Sequence, residues 1–178
     1  VFILSHPRSG STMLQHVLSS HPSMLGYGEN KVPYHSRYDL VKLITRTALI
    51  LKDFSLEENY FIDKIVWRNF EVSEELLQCE RCRFIFLLRE PEPTVTSMLR
   101  MPDTWKSQES ASGYYVDQLA WLEEIAEAIH SEQRAFFVTY GYLTEHAQPT
   151  LDAMTRFLDL DEPLNESYEL LPTTGRWG

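Results

Sequence analysis

The chain has 178 residues, of which 43% are hydrophobic and 12% aromatic, a size and composition typical of one globular domain with a buried core. Its formal net charge of −10 at pH 7 argues against a nucleic-acid-binding surface and against polyanionic glycans as the bulk substrate. No apolar run approaches the roughly 18–20 residues that a membrane-spanning helix needs, and no signal peptide is visible. We therefore expect a cytoplasmic protein without a membrane span.

The first fourteen residues predict a strand, a tight turn and the start of a helix. Residues 1–4 are apolar, which suits a central parallel strand, and residues 13–18 carry the apolar stripe of a helix. A turn of this kind gathers backbone N–H groups and the positive end of the helix dipole at one point, where it holds an anion, most often a phosphate. The nucleotide-hydrolase pattern G-x-x-x-x-G-K-[ST] is absent, because the turn has one glycine, Gly10, and its basic residue, Arg8, precedes it.

The rest of the chain alternates predicted helices and strands. Residues 38–53 are so apolar that we expect a largely buried helix, and the polar residues 101–113 are predicted to form a loop. The alternation predicts one α/β domain over residues 1–178, with a parallel sheet of about four to five strands and helices on both faces. The chain starts inside a strand without an initiator Met, and we expect truncation at both ends. Further helices are predicted at residues 71–78, 114–132 and 149–160 and from Pro91, and strands at residues 60–67, 83–88 and 135–140.

A second strand-to-helix turn also carries a basic residue. The apolar residues 84–88 are followed by Arg89, Pro91 stands two positions later, and Ser97 lies eight positions after the arginine. Ligands of parallel sheets bind at the carboxyl ends of the strands. We therefore expect the two turns, residues 64–68 and Tyr140 to lie at one rim of the sheet.

These two turns resemble the cofactor-binding motifs of one enzyme family. The segment Pro7-Arg8-Ser9-Gly10-Ser11-Thr12 resembles the 5′-phosphosulfate-binding loop of sulfotransferases that use 3′-phosphoadenosine 5′-phosphosulfate (PAPS). The spacing of Arg89, Pro91 and Ser97 is similar to the 3′-phosphate-binding signature of the same family. The resemblance covers nearly the whole chain. It implies a P-loop-like sulfotransferase fold and transfer of a sulfuryl group from PAPS to an acceptor hydroxyl, with no metal ion required.

The resemblance also implies how the cofactor is held. The phosphate loop would bind the 5′-phosphosulfate through its N–H groups and hydroxyls, with Arg8 neutralising charge as the S–O bond breaks. Arg89 would pair with the 3′-phosphate, aided by Ser97. Arg100 lies near the position of a further family arginine but is displaced from it, and Trp177 would pack beside the cofactor. The implied cofactor-binding residues are Arg8, Ser9, Gly10, Ser11, Thr12, Arg89, Ser97, Tyr140 and Arg176.

The implied catalytic residues are Glu29, Arg8 and Lys64. Glu29 follows a Gly-Tyr-Gly turn, and this order resembles tyrosylprotein sulfotransferases and several bacterial relatives, in which the matching Glu is the catalytic base. His35 is the rival base, because cytosolic sulfotransferases use a His, and His6 is a further one. Lys64 corresponds to a strand-end lysine of the same relatives that stabilises the transition state, although here no proline follows it.

Several questions stay open at this level. A small-molecule or nucleoside kinase is an alternative function, and so is a non-catalytic nucleotide-binding module. The acceptor is a small-molecule, glycan or peptide hydroxyl, with specificity expected in residues 30–37 and 101–113. The oligomeric state is open. Cys79 and Cys82 form a C-x-x-C without a second Cys/His pair, so we expect a reduced pair without a metal.

Overall fold

The computed structural model of the protein describes residues 1–51, 59–101 and 103–171. These residues form an α/β fold, which confirms the fold class predicted from the alternation of elements. The strands are β1 (Phe2–Ser5), β2 (Met24–Leu25), β3 (Tyr60–Phe61), β4 (Asp63–Ile65), β5 (Phe84–Leu88) and β6 (Ala135–Thr139). The helices are α1 (Ser11–Ser19), α2 (Leu40–Leu51), α3 (Glu74–Leu77), α4 (Pro91–Met98), α5 (Gln108–Ala128), α6 (Tyr140–Glu145) and α7 (Ala147–Leu158).

The main sheet is parallel, and in the described part of the chain it has four strands in the order β4-β1-β5-β6. From β1 the chain crosses to β4 on one side and later returns to β5 on the other side. The winding direction therefore reverses at β1, and ligands of open α/β sheets bind outside the carboxyl ends of the strands at such a point. The turn that contains Arg8 and Gly10 directly follows β1, so the topology places it there.

Strand β1 is buried on both faces, which explains its uninterrupted apolar sequence. Successive side chains of a strand point to opposite faces. Ile3 accordingly packs with residues of α1 and α7, while Phe2 and Leu4 pack with residues of α3 and α5. The prediction of helices on both faces is thus confirmed.

Helix α2 is far less buried than its composition predicts. Leu43 and Thr47 are buried, whereas Val41 is 61% exposed and Leu49 is 70% exposed. Among the described elements, its main neighbours are the short 3-10 turn Arg37–Asp39 and β3, and only its buried side reaches the core beside the four-stranded sheet. The prediction of a largely buried helix is therefore wrong, because apolar composition does not reveal how many faces of a helix find a neighbour.

Two further element predictions need correction. Residues 60–67 were predicted as one strand, but β3 pairs with β2 in a separate two-stranded sheet, and β4 alone joins the main sheet. The predicted loop 101–113 becomes helical at Gln108, because Ser107 caps α5 by accepting a hydrogen bond from the N–H of Ser110. The polar residues of its second half therefore belong to the first turns of a helix.

The contrast within α2 yields a stability test. Leu43→Ala should lower the free energy of unfolding by about 2–5 kcal/mol, because it removes buried methyl groups and leaves a cavity. Leu49→Ala, on an exposed face of the same helix, should change it by less than about 0.5 kcal/mol. Urea unfolding of both variants measures the difference, and similar losses would contradict the observed orientation of the helix.

Candidate active site

The turn after β1 has the backbone shape of an anion-binding loop. Arg8 and Gly10 both have left-handed backbone conformations, with φ of 67° and 93°, and α1 begins at the next residue. Backbone that alternates between helical hands points successive N–H groups into one concavity. Inside the turn, the Ser9 N–H donates to the carbonyl of His6 at 3.2 Å, and the Ser11 N–H donates to the Ser9 hydroxyl at 3.3 Å. Two of the four N–H groups predicted to face the anion are thus engaged within the turn.

The second basic turn folds directly onto the first. Arg89 donates from Nη1 to the Arg8 carbonyl at 3.1 Å, and its guanidinium lies 4.5 Å from the centre of the Tyr140 ring. The Tyr140 ring also packs against Gly10. Only glycine fits at this position, because a Cβ there would lie 2.4 Å from Cδ2 of Tyr140. Tyr140 begins α6 and does not end a strand. Arg89 also keeps a buried Nε that has no hydrogen-bond partner among the described residues.

Ser97 completes this group of residues. The Arg8 side chain donates from Nε to the Ser97 hydroxyl at 2.9 Å, so residues predicted to hold opposite ends of a nucleotide are in direct contact. Arg100 is exposed and lies two residues beyond the end of α4. Arg176 and Trp177 fall outside the described residues.

His6 connects the two turns and has no ring nitrogen left for proton transfer. It is fully buried, and its Nε2 accepts a hydrogen bond from the Arg89 N–H at 3.0 Å. Its Nδ1 therefore carries the proton and donates to the Pro7 carbonyl at 3.0 Å. Burial lowers the pKa of His6, which favours the neutral ring that this arrangement requires.

Lys64 joins Glu29 to the phosphate turn. Its Nζ lies 3.3 Å from Oε1 of Glu29 and donates to the Thr12 hydroxyl at 2.9 Å. The Lys64 side chain is 8% exposed and that of Glu29 is 17% exposed. Burial lowers the pKa of Lys64, and the neighbouring Glu29 carboxylate opposes that shift. The structure thus brings together a carboxylate, an ammonium group and a hydroxyl that are far apart in the sequence.

His35 lies elsewhere on the surface. Its side chain is 62% exposed and its Nδ1 lies 3.5 Å from the Glu71 carboxylate, so the structure pairs it with an exposed acid. The structure therefore pairs Glu29 with Lys64, whereas His35 is paired with Glu71.

Asp63 is a buried acid beside this group that the sequence analysis did not select as a site residue. It is 1% exposed, and its Oδ1 accepts hydrogen bonds from the backbone N–H groups of Asn30 and Lys64 at 2.9 Å and 2.8 Å. Its Oδ2 accepts the Tyr34 hydroxyl at 2.5 Å. Burial raises the pKa of Asp63 to about 6, and the hydrogen bonds from Tyr34 and Asn30 oppose the shift. The available signal was a pair of adjacent charged residues, Asp63 and Lys64, inside an otherwise apolar segment.

An aromatic cluster lies near the end of β4. Trp67, just after β4, stacks on Trp105 with ring centres 5.8 Å apart, and Tyr114 of α5 meets both rings edge-on. Burial raises the pKa of Tyr114 to about 12, and the Glu29 carboxylate adds to that shift. Trp67, Trp105 and Tyr114 therefore form one aromatic cluster, and the Glu29 carboxylate is near enough to Tyr114 to disfavour its ionisation.

The described residues show neither a metal site nor a membrane-spanning helix. Among residues 1–51, 59–101 and 103–171, no group of three His, Cys, Asp or Glu side chains could hold a metal ion. Within those ranges, each helix is too short or too polar to cross a bilayer. Cys79 and Cys82 are free thiols, and burial raises the pKa of Cys82 to about 12, which disfavours the reactive thiolate.

Comparison with known proteins finds similarity to sulfotransferases in the first part of the sequence and in the fold. Residues 1–47 match the model of the sulfotransferase family. The structure is similar to the sulfotransferase domain of the Synechococcus PCC 7002 olefin synthase, with a TM-score of 0.71 and 18% identity, covering 98% of this chain and 79% of that one. It is also similar to the sulfotransferase domain of the curacin biosynthetic pathway, with a TM-score of 0.63 and 19% identity, covering 90% and 74%.

A third similar structure is mouse sulfotransferase SULT7A1 complexed with PAP, with a TM-score of 0.60 and 18% identity. It covers 91% of this chain, which spans 58% of the mouse protein. No curated protein sequence is significantly similar to the chain. The predicted sulfotransferase resemblance and fold are confirmed, while the closer likeness to tyrosylprotein sulfotransferases stays a prediction.

The neutral His6 yields a test by pH. The folded-state pKa of His6 is lowered, so below about pH 6.5 the unfolded chain takes up a proton that the folded protein does not. The free energy of unfolding therefore decreases as the pH is lowered. His6→Asn keeps a donor for the Pro7 carbonyl and removes this titration. Urea unfolding at pH 7.5 and 5.5 should show a smaller loss for the variant.

Asp63 acts in the opposite direction, since its raised pKa adds stability as the pH falls below about 6. It is present in both proteins, so its effect cancels in the comparison. Equal losses in the two proteins would contradict a neutral, buried His6.

Proposed function

We propose that the protein is a PAPS-dependent sulfotransferase that transfers a sulfuryl group to an acceptor hydroxyl. The observation that carries the proposal is the position of Lys64, whose ammonium group contacts both Glu29 and Thr12 of the phosphate turn. A carboxylate able to take a proton and a turn able to hold a phosphate thus share one buried cation. The family match of residues 1–47 and the sulfotransferase fold support the choice of donor.

The two turns fit the anionic groups of PAPS. Arg8 and Arg89 converge although the chain carries a net charge of −10, and the buried Nε of Arg89 has no partner among the described residues. An orphaned guanidinium donor is costly to bury, so it points to an anionic ligand. A residue larger than Gly10 would clash with the Tyr140 ring, so glycine lets the turn pack this closely against it. We assign the turn and Arg8 to the 5′-phosphosulfate, and Arg89 with Ser97 to the 3′-phosphate.

In the proposed reaction, a few side chains have separate roles in sulfuryl transfer. PAPS supplies the sulfuryl group and is left as adenosine 3′,5′-bisphosphate (PAP), the compound named in the mouse SULT7A1 structure. Glu29 takes the proton from the acceptor hydroxyl as its oxygen bonds to sulfur. Lys64 and Arg8 stabilise the negative charge that grows on the phosphate oxygen as the S–O bond breaks. Most of the rate enhancement would come from positioning and electrostatics, with no metal ion needed.

The acceptor would lie between Glu29 and the aromatic cluster of Trp67, Trp105 and Tyr114. Aromatic rings offer a large apolar surface of fixed shape. The cluster therefore favours an acceptor with an apolar or aromatic body next to its hydroxyl. This class includes phenols, lipid alcohols and peptide tyrosines.

The function is tested with purified protein, labelled PAPS and a panel of phenols, lipid alcohols, glycans and tyrosine peptides. We expect label to move to an acceptor, also in excess EDTA. Binding of PAPS without transfer would replace the proposal by a nucleotide-binding module. ATP turnover that requires Mg²⁺ would replace it by a kinase.

We expect Arg89 to bind the 3′-phosphate of the cofactor. Arg89→Ala should weaken PAP binding by about 1.5–3 kcal/mol more than it weakens binding of adenosine 5′-phosphosulfate, which lacks that phosphate. Calorimetry with both ligands measures the difference, and Arg81→Ala, at an exposed arginine elsewhere, is the control. Equal losses for the two ligands would show that Arg89 binds something else.

Glu29 should act as the general base. Glu29→Gln keeps the size of the side chain but cannot take the proton, so the rate with an alcohol acceptor should fall by roughly 10²–10⁴. PAP affinity by calorimetry should stay nearly unchanged. His35→Ala should cost much less, and an inactive His35→Ala beside a normal Glu29→Gln would move the role to His35.

A further inference from the structure

The backbone around Glu29 is held on both sides by side chains from three separate elements. The Gly28 carbonyl accepts a hydrogen bond from Nε2 of Gln15 in α1 at 3.1 Å. After Glu29, the Asn30 N–H donates to Oδ1 of Asp63 in β4 at 2.9 Å. The Asn30 carbonyl accepts from Nη1 of Arg46 in α2 at 2.7 Å. Glu29 therefore projects from a short, non-helical segment whose main chain is fixed before and after it.

Asp63, which like Gln15 is buried, is adjacent to Lys64 in β4. One residue of this pair binds the main chain that follows Glu29, and the next contacts the Glu29 carboxylate. The register of β4 against β1 places Lys64 opposite Ile3. The positions of Asp63 and Lys64 are therefore fixed by pairing with the central strand. The distance between the Glu29 carboxylate and the phosphate turn is thereby set by the sheet.

The two oxygens of Asp63 have different partners. Oδ2 binds the hydroxyl of Tyr34, whose ring is fully buried and meets Phe2 edge-on. Oδ1 binds the N–H groups of Asn30 and Lys64. Burying a carboxylate is costly unless its hydrogen bonds are satisfied, and here one oxygen is anchored in the core while the other orients the Glu29 segment.

We propose that Asp63 is a positioning residue for sulfuryl transfer, holding Glu29 at a fixed place relative to Lys64 and the phosphate turn. The inference rests on the proposed function, because it assigns Asp63 a role through the base of that reaction. Displacing a reacting group by about 1 Å can cost roughly 10²-fold in rate without a comparable loss of binding. Asp63 should therefore affect kcat and leave donor affinity nearly intact.

The test compares Asp63→Ala with Asp63→Asn. The asparagine keeps an oxygen to accept the Asn30 N–H, and its amide faces the Tyr34 hydroxyl, which can accept from it. We expect Asp63→Ala to lower kcat by about 10–100-fold, with the Kd for PAP changed less than about threefold, and Asp63→Asn to recover most of the loss. Met154→Ala, a core substitution in α7, is the control for lost stability alone.

A second variant keeps the test valid if Asp63→Ala does not fold. Arg46 is exposed on α2, so Arg46→Ala should fold while releasing the Asn30 carbonyl. It should lower kcat by about 3–10-fold, a smaller loss than for Asp63→Ala because the hydrogen bond that Asp63 accepts from the same segment remains. Lys42→Ala, at a cation of the same helix that pairs with Asp39, should leave kcat unchanged.

The outcomes separate the two proposals. If the wild-type protein transfers the sulfuryl group and Asp63→Ala has an unchanged kcat, the positioning role alone is overturned. If Asp63→Ala does not fold, an unchanged kcat in Arg46→Ala has the same consequence. A fall in PAP affinity matching the fall in kcat would also overturn it, since that indicates general distortion. A wild-type protein that binds PAP and transfers no sulfuryl group would overturn the proposed function, and the positioning role with it.

Discussion

The Lys64 ammonium group is the constraint on which the site depends. A buried cation is tolerated only when hydrogen bonds and opposite charge compensate its lost hydration. Here the compensation comes from Glu29 and from the hydroxyl of Thr12, one residue from the Gly-Glu turn and one from the first turn of α1. Satisfying Lys64 therefore forces the candidate base and the phosphate turn to share one small volume.

Shared hydrogen bonds also join the two basic turns that follow β1 and β5. His6 accepts the N–H of Arg89 and donates to the carbonyl of Pro7, so one neutral ring spans the ends of β1 and β5. Tyr115 supports it from α5 by packing against the ring and donating to the Arg89 carbonyl at 2.7 Å. The cationic side chains of the site are thus carried on backbone that is already fixed by neutral groups, which limits the reorganisation needed to receive an anion.

The winding of the sheet explains why these groups meet at all. Strand β1 has β4 on one side and β5 on the other, so residues following three different strands open onto the same edge. Outside the sheet, Arg46 of α2 reaches the segment that follows Glu29, and Trp67, Trp105 and Tyr114 belong to a separate apolar cluster. The arrangement agrees with the rule that open α/β sheets bind ligands at the point where winding reverses.

The sequence by itself determined the features that depend on local order. Four apolar residues before a Gly-containing turn predicted β1 and the phosphate loop, and the spacing of Arg89 and Ser97 predicted the second turn. Glu29 and Lys64 were selected because they match motifs of the resembling family, and the structure places them in contact. These inferences succeed because turns and strand ends are decided mainly by neighbouring residues.

Only the tertiary structure decided which distant groups are partners. The two oxygens of Asp63 bind Asn30 and Tyr34, which lie 33 and 29 residues away in the chain. His6 was a rival base until both ring nitrogens proved to be engaged. Residues 60–67 divided between two sheets, and α2 turned apolar residues outwards, because strand pairing and burial depend on contacts between segments far apart in the chain. Such contacts carry no signature in the local pattern of any one segment.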